Sequence, residues 1–281
     1  MGALWMLVAG LLFGLMALFV KLGADHFSSA ELVFYRSLFG LLAIGAIART
    51  RRLSVGTPHL RGHLWRGLSG LASLASYFYC ITVLPLATAV TLNYTSPLFV
   101  ALLTTVLFRE RLHWPLGVAV ALGFTGVVVL LKPTLQEGQF AAGLLGLTSG
   151  FFACVAYLNV RELGRLGEPD WRVVFYFTLI ATLLTGLWLL HQGFHALTLA
   201  HLPLLLGLGA TATLAQLALT RAYRTGTTLV VSSLSYSTVV FSSLMGVLFL
   251  GELLSVSGWL AVGLIVSAGL LATRSAPART S

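Results

Sequence analysis

Charge is what this chain has least of. Only 9% of its 281 residues are charged, and Asp and Glu together number eight. Water-soluble domains carry roughly 25% charged residues, so a chain that is 58% hydrophobic is not built around one core in water. Lipid is its solvent. The two cysteines, Cys80 and Cys154, exclude a disulfide framework, and both fall inside apolar stretches as small packing residues. The seven histidines include no HExxH; His191 and His195 have i, i+4 spacing, but no third ligand accompanies them. There is also no GxSxG elbow, no glycine-rich phosphate loop and no paired carboxylate at depth. The expectation is therefore no enzyme site, no cofactor and no metal. The net charge of +9 is not a nucleic-acid patch, because the basic residues sit in short connections between apolar runs, where orientation signals sit.

Ten apolar stretches are present, each near the roughly 20 residues that cross a bilayer core of about 30 Å. They run from Ala3 to Leu22, Ala30 to Ala48, Leu64 to Val83, Leu86 to Phe108, Pro115 to Leu131, Ala142 to Val160, Val173 to Leu190, Leu202 to Tyr223, Thr227 to Leu250 and Val256 to Ala272. The first lacks a basic n-region and is too long for a signal-peptide core, so it is expected to remain as a helix. Fourteen basic residues, among them Arg49, Arg66, Arg109, Arg172 and Arg221, are assigned to one side of the membrane, against Lys21 and Lys132 on the other, with Arg36 inside the second span. The positive-inside rule then puts both termini in the cytoplasm.

The ten spans fall into two fives. At an offset of 140, Gly10 meets Gly150; at 141, Phe34 and Tyr35 meet Phe175 and Tyr176; at 142, Tyr94 meets Tyr236 and Glu110 meets Glu252. Aligned Gly, Tyr and Glu are not free matches in this composition, and they indicate a duplication. Because five is odd, the second copy enters the membrane inverted. The expected architecture is an all-α integral membrane protein of ten transmembrane helices in two inverted five-helix repeats, residues 1–132 and 140–273, with 274–281 as a disordered cytoplasmic tail. Such repeats are the architecture of secondary transporters.

The stretch from Pro85 to Leu112, with FYR at Phe34 to Arg36 and GELLS around Glu252, resembles the EamA type of the drug/metabolite transporter superfamily across both halves. The resemblance implies a multi-pass carrier of small metabolites in a bacterial-type inner membrane, with a cavity mainly lined by helices one, three, four, six, eight and nine. That superfamily includes exporters of amino acids and importers of S-adenosylmethionine or riboflavin, and WRG at Trp65 to Gly67 leans towards the S-adenosylmethionine importers. The expected function is movement of an amino acid or related metabolite by alternating access, with a nucleoside-like or vitamin-like import as the alternative. A lipid-modifying enzyme is the rival of another class, and it lacks catalytic partners at the interface.

The candidate site follows from polar groups at depth. Arg36, about six residues into the second span, costs roughly 2.5–3.5 kcal/mol on insertion scales and is paired, snorkelling or functional. A contact with Glu31 or Asp25 is the plainer reading. Tyr77, Asn93, Tyr94, Gln216 and Tyr236 are expected to line one central cavity, since a buried phenol or amide needs partners inside the membrane. Pro97 is expected to free a helix carbonyl there. No acidic residue stands at mid-depth, which points to facilitated or exchange transport; Glu31, one residue into the second span, is the single coupling candidate. Gly10 and Gly14, and Gly146 and Gly150, have the GxxxG spacing of close helix packing.

Overall fold

In a computed structural model the described residues are 2–107, 139–226, 230–231, 234–252 and 255–274, with isolated helical positions between 114 and 129. Their elements are α1 (Gly2–Gly23), α2 (Ser29–Thr50), α3 (Leu60–Val83), α4 (Leu86–Asn93), α5 (Ser96–Leu107), α6 (Phe140–Arg165), α7 (Asp170–Gln192), α8 (Leu202–Thr225), α9 (Ser237–Leu250) and α10 (Val256–Arg274). The fifth span, most of the link from Lys132 to Gln139, Glu110, Ser232, Ser233 and the tail beyond Arg274 lie outside the described residues.

Helices α1, α2, α6, α7 and α8 are long and apolar enough to cross a membrane. The 24-residue α3 is not among them because one of its faces is polar. His63, Arg66, Ser69, Ser73 and Tyr77 recur at spacings of three and four and are all buried. In lipid a polar stripe must turn inward, and this one turns onto α6 and α7.

The fourth span is two helices rather than one. α4 ends at Asn93, Tyr94 and Thr95 form a tight turn, and the Thr95 carbonyl accepts from Leu98 and Phe99 to start α5. Pro97 is the second residue of α5, where its missing N–H belongs to the orphan donors of a first turn. It opens a helix instead of stripping a bond from a continuous one. The ninth span is also interrupted, by a turn at Ser235 and Tyr236 before α9.

The paired glycines seat these interruptions. A Cβ on Gly150 of α6 would lie 2.5 Å from Thr95 Oγ1 and 2.9 Å from the Leu92 carbonyl, and one on Gly10 of α1 would lie 2.5 Å from Ser237 Oγ. Thr95 and Ser237 stand 142 apart, as Tyr94 and Tyr236 do. Helix pairing repeats the correspondence: α1 packs on α8 as α3 packs on α6, α2 meets α7, and α4 meets α9.

The connections are tied at both ends. At the end poor in basic residues, Lys21 Nζ donates to the carbonyls of Ile81 (3.0 Å) and Leu84 (2.7 Å), and Glu252 accepts from the Leu86 N–H at 2.8 Å. Gly251, at φ +62°, makes the turn that brings Glu252 back to α4. At the other end Asp170 meets Arg224 (3.1 Å) and Arg221 (3.6 Å). Glu168 there accepts from Arg172 Nη1 at 2.9 Å and from Thr57 Oγ1, with His63 Nε2 at 3.4 Å. Burial pushes the Glu168 carboxyl up, but those donors and the Arg172 charge outweigh it and hold the group below the usual carboxylate range. Each of these ties joins connections that the hydrophobic pattern assigns to one side of the membrane.

Candidate functional site

Two arginines meet at the centre of the bundle. Arg36 is the eighth residue of α2 and Arg66 the seventh of α3. The two helices run in opposite directions, so at 1.5 Å per residue one side chain starts on each side of the bundle's middle. They are 1% and 2% exposed. The Arg36 guanidinium lies 5.5 Å from the centroid of the Phe177 ring and that of Arg66 lies 4.2 Å from it. Cation–π contact with one shared ring is what holds them near each other, worth about 2 kcal/mol when desolvated. Arg66 reaches this place by lying over Gly70, one turn on, where any Cβ would collide with its Nη1.

What these cations lack among the described residues is a counter-ion. Nε and Nη1 of both have no hydrogen-bond partner, and the Arg66 Nη2 donates at 3.1 Å to the Gln216 amide oxygen, a neutral group. Among the described residues no carboxylate lies within ion-pair distance of either. Glu31 does not serve Arg36. It completes a capping box with Ser28, whose N–H and Oγ donate to Oε2 at 2.8 and 2.9 Å, and it holds the α7–α8 connection through the His195 N–H and Nδ1, each at 2.7 Å. Asp25 is exposed. His195 lies beyond the end of α7, so it does not share a helix face with His191.

Around the guanidiniums is a cavity of about 50 Å³, room for a water or two and far below the roughly 300 Å³ of a metabolite pocket. A metabolite-sized molecule would fit here only with the helices parted. Of the residues singled out in the sequence, Arg36, Tyr77, Asn93, Tyr94 and Gln216 line this cavity. The Tyr77 hydroxyl is buried without a partner, whereas the Asn93 amide donates to Ser149 Oγ at 3.0 Å and, longer, to Ser73 Oγ at 3.4 Å. Tyr236 is buried but does not line it, and neither does Glu31. The cavity is offset towards the α4–α5 turn. The described residues put α2 and α7 into its wall, beside α1, α3, α4, α6 and α8, and no residue of α9.

Arg66, Tyr157 and Phe177 are among the lining residues that sequence reasoning passed over. Arg66 stands two positions inside the third span, yet a basic residue near a span end reads as a topology signal. The asymmetry of basic residues survives its removal. The signal for it was Gly70 four residues on, a helix position without a side chain beside a long one. Phe177 stands 141 positions after Arg36, so the repeat itself sets a ring opposite the cation. Tyr157 has no such signal.

Comparison with known proteins places the chain, as a whole, among relatives. The EamA-like transporter family matches residues 1–132 and 141–274. An uncharacterized transporter of Helicobacter pylori is 30% identical over 279 residues, covering 96% of this chain and 93% of the relative. A pseudopaline exporter of Pseudomonas aeruginosa is 31% identical over 255 residues, 89% and 88% of the two chains. A riboflavin transporter of Rhizobium johnstonii is 29% identical over 280 residues, 98% and 91% of the two chains.

Proposed function

Since the chain belongs to the EamA-like transporter family, and is a membrane transporter of the drug/metabolite superfamily rather than an enzyme, we propose that it moves a small carboxylate-bearing metabolite, held between Arg36 and Arg66, by alternating access. The observation that carries this reading is the pair of buried guanidiniums with, among the described residues, no carboxylate beside them. A buried cation is costly, and a cargo that brings the missing negative charge offsets that cost. Tyr77 and Gln216 add polar contacts, and Asn93 and Tyr94 at the helix break complete the wall. The same charge inventory disfavours S-adenosylmethionine, whose sulfonium would join two cations.

The two halves act as inverted repeats, residues 1–132 and 140–273, in a bacterial inner membrane with both termini cytoplasmic. The paired glycines, the helix interruptions and the exchange of helix pairs between halves support that reading. Cysteines introduced at Gly56 and at Glu137 are expected to react oppositely with an impermeant thiol reagent in whole cells; equal labelling would remove the inverted topology.

Transport is by exchange. Glu31 is engaged by Ser28 and His195, which leaves the coupling role proposed for it without a free carboxylate. In proteoliposomes, counterflow of a carboxylate should saturate with substrate and be unchanged by an imposed pH gradient. Strong gradient-driven accumulation, abolished in Glu31→Gln, would make Glu31 the coupling residue instead.

A further inference from the structure

Resting on the carboxylate reading above, we propose that the cargo is a dianion, a small molecule with two acidic groups and no free ammonium, one group held by Arg36 and the other by Arg66. Both guanidiniums lie against one phenyl ring, so a single small molecule spans them. Each keeps Nε and Nη1 without a partner, donors that the acidic oxygens of a cargo can satisfy. A monoanion would neutralise one cation and leave the other charged in a medium of low dielectric. A zwitterionic amino acid would add an ammonium to a cavity that has two cations and, among its described lining, no carboxylate. The cost of burial therefore selects for a net charge of minus two, and it selects against the amino acids that the chain's resemblance first brings forward.

The pair is also asymmetric between the repeats. Both cations come from the first half, on α2 and α3, while the second half supplies the Phe177 ring and the Gln216 amide. Because Arg36 starts from one side of the middle and Arg66 from the other, whichever side opens presents a cation first. The second acidic group of the cargo then reaches the other cation as the cavity closes.

The experiment measures thermal stabilisation and counterflow of the purified full chain with matched probes: succinate, glutarate and a phosphate monoester as dianions, butyrate as monoanion, alanine as zwitterion. Dianions should stabilise and exchange at concentrations at least tenfold below butyrate, with alanine inert. Arg66→Gln should abolish the preference for dianions by weakening the dianion response at least tenfold more than the butyrate response, and Arg66→Lys, which keeps the charge, should retain the preference at weaker affinity. If no dianion outperforms butyrate, or Arg66→Gln weakens both to the same degree, the dianion proposal falls and a one-carboxylate carrier stands. If no anion acts at all and Arg36→Gln changes nothing, the carboxylate reading falls with it.

Discussion

Arg36→Met should yield a protein that melts higher than the wild type and has lost most of its transport. The buried guanidinium contributes little to the fold: two of its nitrogens are unpartnered, it shares its cavity with a second cation, and its one described attraction is to the Phe177 ring. Replacing buried charge by an apolar group of similar volume is neutral or stabilising by about 1–4 kcal/mol. At about 2–4 °C per kcal/mol for a chain of this order of size, the midpoint rises by several degrees. Flux falls about a hundredfold, because a cargo group left without its buried partner loses roughly 2–5 kcal/mol. Thermal melting in detergent beside counterflow in vesicles reads both effects. A lower midpoint with flux retained would make Arg36 a structural residue. Arg66→Met should gain less stability, since it leaves the Gln216 amide oxygen without its donor.

Gly150→Ala is expected to have a large effect on folding for the addition of a single methyl group. The new Cβ would lie 2.5 Å from Thr95 Oγ1, 2.9 Å from the Leu92 carbonyl and 3.0 Å from that of Asn93. Two of these three are backbone atoms of the helix break, and they have nowhere to rotate. Overpacking of about 1–3 kcal/mol or more follows, together with displacement of Asn93 and Tyr94 from the cavity wall. The repeat partner gives an internal control, since a Cβ on Gly10 meets first the Ser237 hydroxyl at 2.5 Å, a side chain that can turn away. Gly10→Ala should cost less than Gly150→Ala. Gly263 in α10 has nothing within 4 Å of its Cβ position, so Gly263→Ala should be neutral or gain up to about 1 kcal/mol from helix propensity. Equal melting temperatures for all three would show that the glycines do not set the helix breaks.

The sequence determined the solvent, the helical class and the family, because each is a property summed over many residues. A 9% charged content, repeated apolar runs and basic residues confined to connections leave lipid as the surroundings whatever the details of packing. The break-point residues Asn93 and Tyr94 were legible as polar groups at depth, and so were Tyr77 and Gln216, because lipid offers such groups no other partner. The tertiary structure alone decided where charge is left unbalanced. Whether Arg36 met Glu31 depended on the capping box and on His195, a residue 164 positions away. Arg66 reaches the cavity wall only because Gly70 and Phe177 make room for its side chain and a surface for its charge. A pattern of hydrophobicity records how many charges a membrane protein buries, but which of them find a counter-ion is set by distances of a few ångströms between helices far apart in the chain.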